Sequence, residues 1–297
     1  TGGNNTAVGY EALKATTSGT HNTAIGVSAL VSNTTGADNV ACGNALATNT
    51  TGGLNTAVGR AALYFSTTAS HNTAVGNAAM QTNTTGARST VVGHEALFSN
   101  TTANENVAIG RQALYSNTTA TNNTAVGYRV LYYNTTGAQN TAVGKNSLLS
   151  NTTANGNTAL GWETLRSTTT GAYNTALGGI SLYNSTTASN NTAVGYNSMY
   201  ANTTGANNVA VGLDALVGNT TGGDNVSIGY KSLYSSTTTS SAVAIGRDAM
   251  YGGTSNSQSV AIGAYALRAG GSMENVAVGY FAAYSNTAEA TVAVGFE

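Results

Sequence analysis

A glycine returns at almost constant spacing through the whole chain, from Gly9, Gly26, Gly43 and Gly59 to Gly263, Gly279 and Gly295. Of the seventeen intervals, fourteen are 17 residues and three are 16. The residues around the glycine repeat with it, and the common coil reads N-T-A-V-G-Y-x-A-L-Y-x-N-T-T-G-A-x. Helical repeats run to about 33 residues or more, and Gly, Asn and Thr are poor helix formers. A 17-residue unit has room for one short strand and its turns. The period therefore predicts an all-β fold, a parallel β-solenoid (β-roll) of about 18 coils. At about 4.8 Å per coil such a stack would be a rod on the order of 85 Å long.

Strand side chains alternate between two faces, so the columns can be sorted. Val or Ile precedes the glycine (Val8, Ile25, Val58, Val75), and Thr or Val stands three before it (Thr6, Thr23, Val40, Thr56). A third apolar column lies four after it (Leu13, Leu30, Leu63, Met80). These three columns are expected to form the core. Between the first two lies Ala in nearly every coil (Ala7, Ala24, Ala41), with Val91 and Ser227 as departures, and alternation places it on the opposite, outer face. Asn stands four before the glycine in fourteen of eighteen coils. Like amides stacked at strand spacing can bond one to the next. The absence of Pro fits a fold in which nearly every N–H serves the neighbouring coil.

Three sizeable apolar side chains per coil make a thin core for a lone solenoid. The expectation is a parallel homotrimer in which the small, outward Ala stripe meets partner chains. The whole chain reads as a single repeat domain, residues 1–297, of which 235–297 form a variant subset. There the N-T-T-G turn gives way to Ser- and Gly-rich turns, and from Val209 the mixed Thr/Val column holds only Val. Opening at Thr1 inside a repeat, the chain reads as a fragment of a longer fibre.

Charged residues make up only 7% and the net charge is −1, which leaves no electrostatic footprint for nucleic acid or an anionic membrane. No apolar run approaches the roughly 18 residues of a membrane helix. The single Cys42 stands in the Val/Ile column and is expected to be a buried, inert thiol.

Several coils carry N-V-A-I-G (Asn106–Gly110), N-V-A-V-G (Asn208–Gly212) and S-V-A-I-G (Ser259–Gly263). These resemble the haemagglutinin-type head repeats of trimeric autotransporter adhesins. The longer N-T-A-V-G-x-x-A-L-x-x-N-T-T-G array is similar to those of phage tail fibres and secreted trimeric fibres. The resemblance covers the whole chain and implies a trimeric left-handed β-roll exposed outside the cell or on a virion. The adhesin coil is about three residues shorter, the difference falling in the N-T-T-G turn.

Residues with catalytic chemistry are scattered. His21, His71 and His94 lie in different columns or three coils apart, so no metal set is expected and no cofactor is called for. Glu11, Glu95, Glu163 and Asp214 share a column but are spaced by three or more coils, too far for paired acid and base work. No phosphate loop or nucleophile elbow occurs. The chain is read as no enzyme.

Two aromatic columns stand out. Tyr128, Trp162 and Tyr196 follow the anchor glycine by one residue, and Tyr115, Tyr132, Tyr183 and Tyr200 follow it by five. Stacked aromatics commonly stabilise neighbouring coils; the functional alternative is a stripe contacting a surface glycan or host receptor, with Trp162 foremost. The N-T-T turns, such as Asn33, Asn49 and Asn83, are formal glycosylation sequons. Regular Thr raises ice binding as a rival. The expected function is a structural and adhesive extracellular fibre shaft, the alternative a solenoid that binds glycan or ice.

Overall fold

A computed structural model describes residues 2–254 and 256–296. Each coil supplies one three-residue strand, and no helix occurs among the described residues. The chain forms two compact units, Thr1–Asn146 with Ser150–Thr153, and Ser147–Leu149 with Ala154–Glu297. The first holds β1 (Thr6–Val8) to β9 (Thr141–Val143), the second β10 (Thr158–Leu160) to β18 (Val292–Val294). Within each unit successive strands pair in parallel, like residue on like: Thr6 on Thr23, Ala7 on Ala24, Val8 on Ile25. The fold is the parallel β-solenoid that the period predicts.

Strand register survives the short coils because they lose their residue outside the strand. Val40 still pairs with Thr56, and Val260 with Val276, although each pair is 16 apart. Between Gly43 and Leu46 one residue is missing just after the glycine, whereas the coils that begin at Gly263 and Gly279 shorten in the far turn.

The faces of the strand are the reverse of the expectation. The Ala column points inward and is wholly buried from Ala24 to Ala142 and from Ala159 to Ala277, Val91 and Ser227 included. The Thr/Val and Val/Ile columns point outward, and none of their residues is buried. Of the three columns expected in the core, only Leu is there, with Leu30, Leu63, Leu97 and Leu131 fully enclosed. The reason is width. In T-A-V, alternation puts the outer two residues on one face and the middle one on the other, and a one-residue shift exchanges the faces. The far wall of the coil stands so close that the side chains two before and three after the glycine touch, as Ser227 and Ser232 do at 2.5 Å. The position beside the buried Leu and Asn takes Ala in nearly every coil, with a single Val91 and a single Ser227, and the larger β-branched pair is turned out. An Ala stripe facing partner chains is thereby excluded.

The anchor glycine is required twice over. Its φ lies between +98° and +142° throughout, and a Cβ on Gly9 would sit 2.5 Å from the carbonyl oxygen of Gly26 in the next coil. Left-handed backbone also recurs at residues with side chains, including the buried Leu30 (φ +51°) and Leu63 (φ +49°). Each such residue costs about 1–2 kcal/mol. Enclosing a Leu side chain returns about 1.5–3 kcal/mol, and its N–H is satisfied by the next coil, Leu63 N–H donating to Ala79 O at 3.0 Å.

Two buried Asn ladders carry the polar interior. In the first, Oδ1 of Asn39 accepts from the backbone N–H and Nδ2 of Asn55, whose Nδ2 also donates to Ala69 O. In the second, at the start of the N-T-T turn, Asn49 Nδ2 donates to Asn33 Oδ1 (2.8 Å) and to Gly52 O (3.0 Å). Where Ser66 replaces Asn, this second ladder stops, and Asn49 Oδ1 and Ser66 Oγ are buried without a partner.

Candidate functional site

With the interior filled by Ala, Leu and Asn, any function must lie on the outer columns. The strand face is the most regular of them. Ile25, Val92 and Ile109 in the first unit, and Leu160, Val211 and Ile262 in the second, each expose more than a third of their surface. The neighbouring Thr/Val column runs beside them. Cys42 belongs to this face and is exposed, contrary to the expectation of a buried thiol, because its column points outward.

The turn threonines divide their work. The first of each pair donates its hydroxyl to the next coil's backbone, as Thr34 Oγ1 does to Thr50 O (2.9 Å) and Thr50 Oγ1 to Thr67 O (3.0 Å). The second, as in Thr35, Thr51 and Thr85, is exposed. The sequon asparagines Asn33, Asn49, Asn83, Asn100, Asn117, Asn134, Asn151, Asn202 and Asn219 have no exposed surface. Their amides are inside the ladder, so the folded chain presents none of them for glycosylation.

The column five after the glycine is a set of ring stacks. Phe98, Tyr115 and Tyr132 lie nearly parallel with centroids 5.2 and 5.0 Å apart, and the Arg129 guanidinium sits 4.2 Å from the Tyr132 centroid. Tyr183 and Tyr200 stack at 5.2 Å, with Arg166 5.4 Å from Tyr183. Their faces are occupied by one another and by cations, which is the coil-stabilising arrangement. Burial, and after it the charge of Glu95 and the neighbouring Tyr132, pushes the Tyr115 phenol above its usual range.

The column one after the glycine is more open. Tyr128 lies under Arg111 at 5.8 Å. Trp162 and Tyr196, both exposed, stand in coils on either side of Gly179 and lean over it. This relation is invisible in a list of aromatic positions, because its key member is the residue without a side chain.

The carboxylates of the shared column, Glu11, Glu95, Glu163 and Asp214, each have a local partner. Glu11 pairs with Lys14, Glu95 accepts from Gln112 Nε2 (2.8 Å), and Asp214 accepts from Asn197 Nδ2 (2.7 Å). His21 is an exposed turn residue 3.8 Å from Asp38, and His94 lies 3.6 Å from Glu95. Among the described residues no group of three or more His, Cys, Asp or Glu could hold a metal ion, and no helix is long and apolar enough to cross a membrane. No family model and no characterised protein sequence matches the chain.

Proposed function

We propose that the chain is the shaft of an extracellular fibre, structural and adhesive, whose copies assemble in parallel as a homotrimer through their strand faces. The observation that supports this is the outward Val/Ile column, one side chain per coil and none of them buried, on a regular strand face. Soluble proteins seldom leave so long a row of β-branched residues in water. Enclosing a half-exposed Val or Ile is worth about 1 kcal/mol, so the nine coils of one unit offer on the order of 10 kcal/mol. Association costs about 4–15 kcal/mol, which makes one unit marginal and adds a surplus with each further coil. Length itself then drives assembly, as suits a fibre.

A parallel arrangement keeps like coils level, and only an axis along the solenoid does so. The strand face is three residues wide, about 10 Å, narrow enough for three copies to bring their Val/Ile columns to one axis. An attachment role outside the cell or on a virion suits a chain whose carboxylates and histidines are dispersed over separate coils. Ice binding draws less support. The outward strand threonines are interrupted by Val40 and Val107 and give way to Val from Val209 onward, so they form no continuous hydroxyl lattice.

The test is sedimentation equilibrium at micromolar concentration. Three chains per particle are expected for the unaltered protein, and single chains for a variant with Val75, Val126 and Val194 changed to Lys. A monomeric mass for the unaltered protein would remove the reading.

A further inference from the structure

The side chain two after the anchor glycine is long in much of the chain, as in Glu11, Gln112, Arg129, Glu163 and Lys231. In two successive coils it is Ala, at Ala61 and Ala78. The coil before them lacks the position, with Leu46 three rather than four residues after Gly43. Where these side chains are missing, the first unit has a cleft of about 300 Å³ lined by Ala61 and Ala78. Polar groups surround the alanines. Arg60 and Asn77 enter from the column one after the glycine, Gln81 from the column five after it, and Glu95 from the next coil. The Arg60 guanidinium and the Asn77 and Gln81 amides have no partner among the described residues. Glu95 engages only Oε2, with Gln112 Nε2 at 2.8 Å and His94 Nδ1 at 3.6 Å. Phe98, also in the lining, gives one face to Tyr115 at 5.2 Å. On its other side the column holds Gln81, so the ring stack ends and the second face of Phe98 is left to the cleft.

We propose that this cleft binds a neutral pyranose unit of a glycan, its ring against the free face of Phe98 and its hydroxyls on Arg60, Asn77, Gln81 and Glu95 Oε1. Ligand clefts run from about 300 to 1,000 Å³, so the volume suits a single sugar unit. One guanidinium and one carboxylate favour neither an anion nor a cation by charge. What they and the amides supply is a mixture of donors and acceptors, which a polyol can use. A free amino acid carries its two charges on one carbon, whereas Arg60 and Glu95 stand two coils apart, about 10 Å along the stack. None of the lining residues belongs to the strand columns, so the site does not rest on how copies pair through their strand faces.

The full chain is titrated with the methyl glycosides of glucose, galactose, mannose and N-acetylglucosamine, and with L-alanine as a zwitterion. Binding is read by saturation-transfer difference NMR. At least one glycoside should bind saturably, and L-alanine should not. Ala61→Gln fills the cleft with the side chain that Gln112 carries in the same column, on nearly the same backbone (φ +60° and +58°). Arg60→Gln withdraws the guanidinium from an exposed position. Each should weaken the binding at least tenfold while the melting temperature and particle mass stay as in the unaltered chain. Saturable binding that Ala61→Gln leaves intact would overturn the proposal, as would binding of L-alanine alone or of none of the probes.

Discussion

Ser227 and Ser232 hold their hydroxyl oxygens 2.5 Å apart inside the coil of β14 (Val226–Ile228), where other coils place two alanine methyls such as those of Ala24 and Ala29. Each hydroxyl has one proton to give, and a carbonyl acceptor stands beside each as the alternative: Ser232 O 3.0 Å from Ser227 Oγ, and Gly229 O 3.2 Å from Ser232 Oγ. The departure from Ala is thus matched across the interior. Changing either serine alone to Ala should alter stability by no more than about 1 kcal/mol, because the survivor keeps a carbonyl partner. The double variant should be nearly neutral. A thermal double-mutant cycle checks this through its coupling energy; strictly additive losses would show that the pair does not act together.

The orientation of the strand is tested by two neighbouring residues. Ala125 is buried and Val126 points out. Ala125→Leu overpacks the coil and should cost about 1–3 kcal/mol, read as a lowered denaturation midpoint. Val126→Ser should leave the midpoint of the isolated chain within about 0.5 kcal/mol, as an exposed substitution does. The opposite ranking would restore the Ala stripe to the surface.

Ser66 marks a gap in the turn ladder that Asn should close. Asn fits at the same column in the coils on either side, Asn49 and Asn83, and Asn49 Oδ1 is buried with no donor. Ser66→Asn supplies that donor and should stabilise the protein by about 1 kcal/mol, the range of a repaired buried polar group. A shift in thermal midpoint reads the gain, and a loss would mean that the ladder cannot continue through this turn.

Tyr115 makes stability depend on alkaline pH. Burial chiefly, with the Glu95 charge and Tyr132 behind it, raises the Tyr115 phenol above the ordinary value of 10.0. A pKa raised in the fold favours the neutral phenol, so its stabilising contribution is complete below pH 10 and is lost as pH rises through the folded value. The difference between the ultraviolet titrations of the unaltered chain and Tyr115→Phe should be a phenol that ionises above pH 10. The same variant should lose less stability than the unaltered chain above pH 10.

Much of this fold is legible because it repeats. Eighteen glycines fixed in phase leave a parallel β-solenoid as the economical answer, and the Leu and Asn columns go where periodicity places them. The strand faces are harder. Thr-Ala-Val is consistent with either orientation, and the deciding quantity is the width of the coil, set by contacts such as Ser227 with Ser232 that sequence spacing does not express. Left-handed Leu63 is equally hidden, since its cost is repaid only in the stacked state. Cys42 followed the fate of its column. In the aromatic columns the repeat located every ring, but Gly179, the residue that joins Trp162 to Tyr196, carries no side chain to draw notice.

Cys42 offers the most direct test of strand faces meeting at a common axis. It is exposed, it stands in the Val/Ile column, and it is the only cysteine in the chain. If like coils meet there, mild oxidation with copper–phenanthroline should link two chains of every three through Cys42, giving disulfide dimers on a non-reducing denaturing gel. The third thiol should remain reactive to maleimide, and the yield should not change on tenfold dilution. Cys42 that stays monomeric under the oxidant and reacts fully with maleimide would contradict the account.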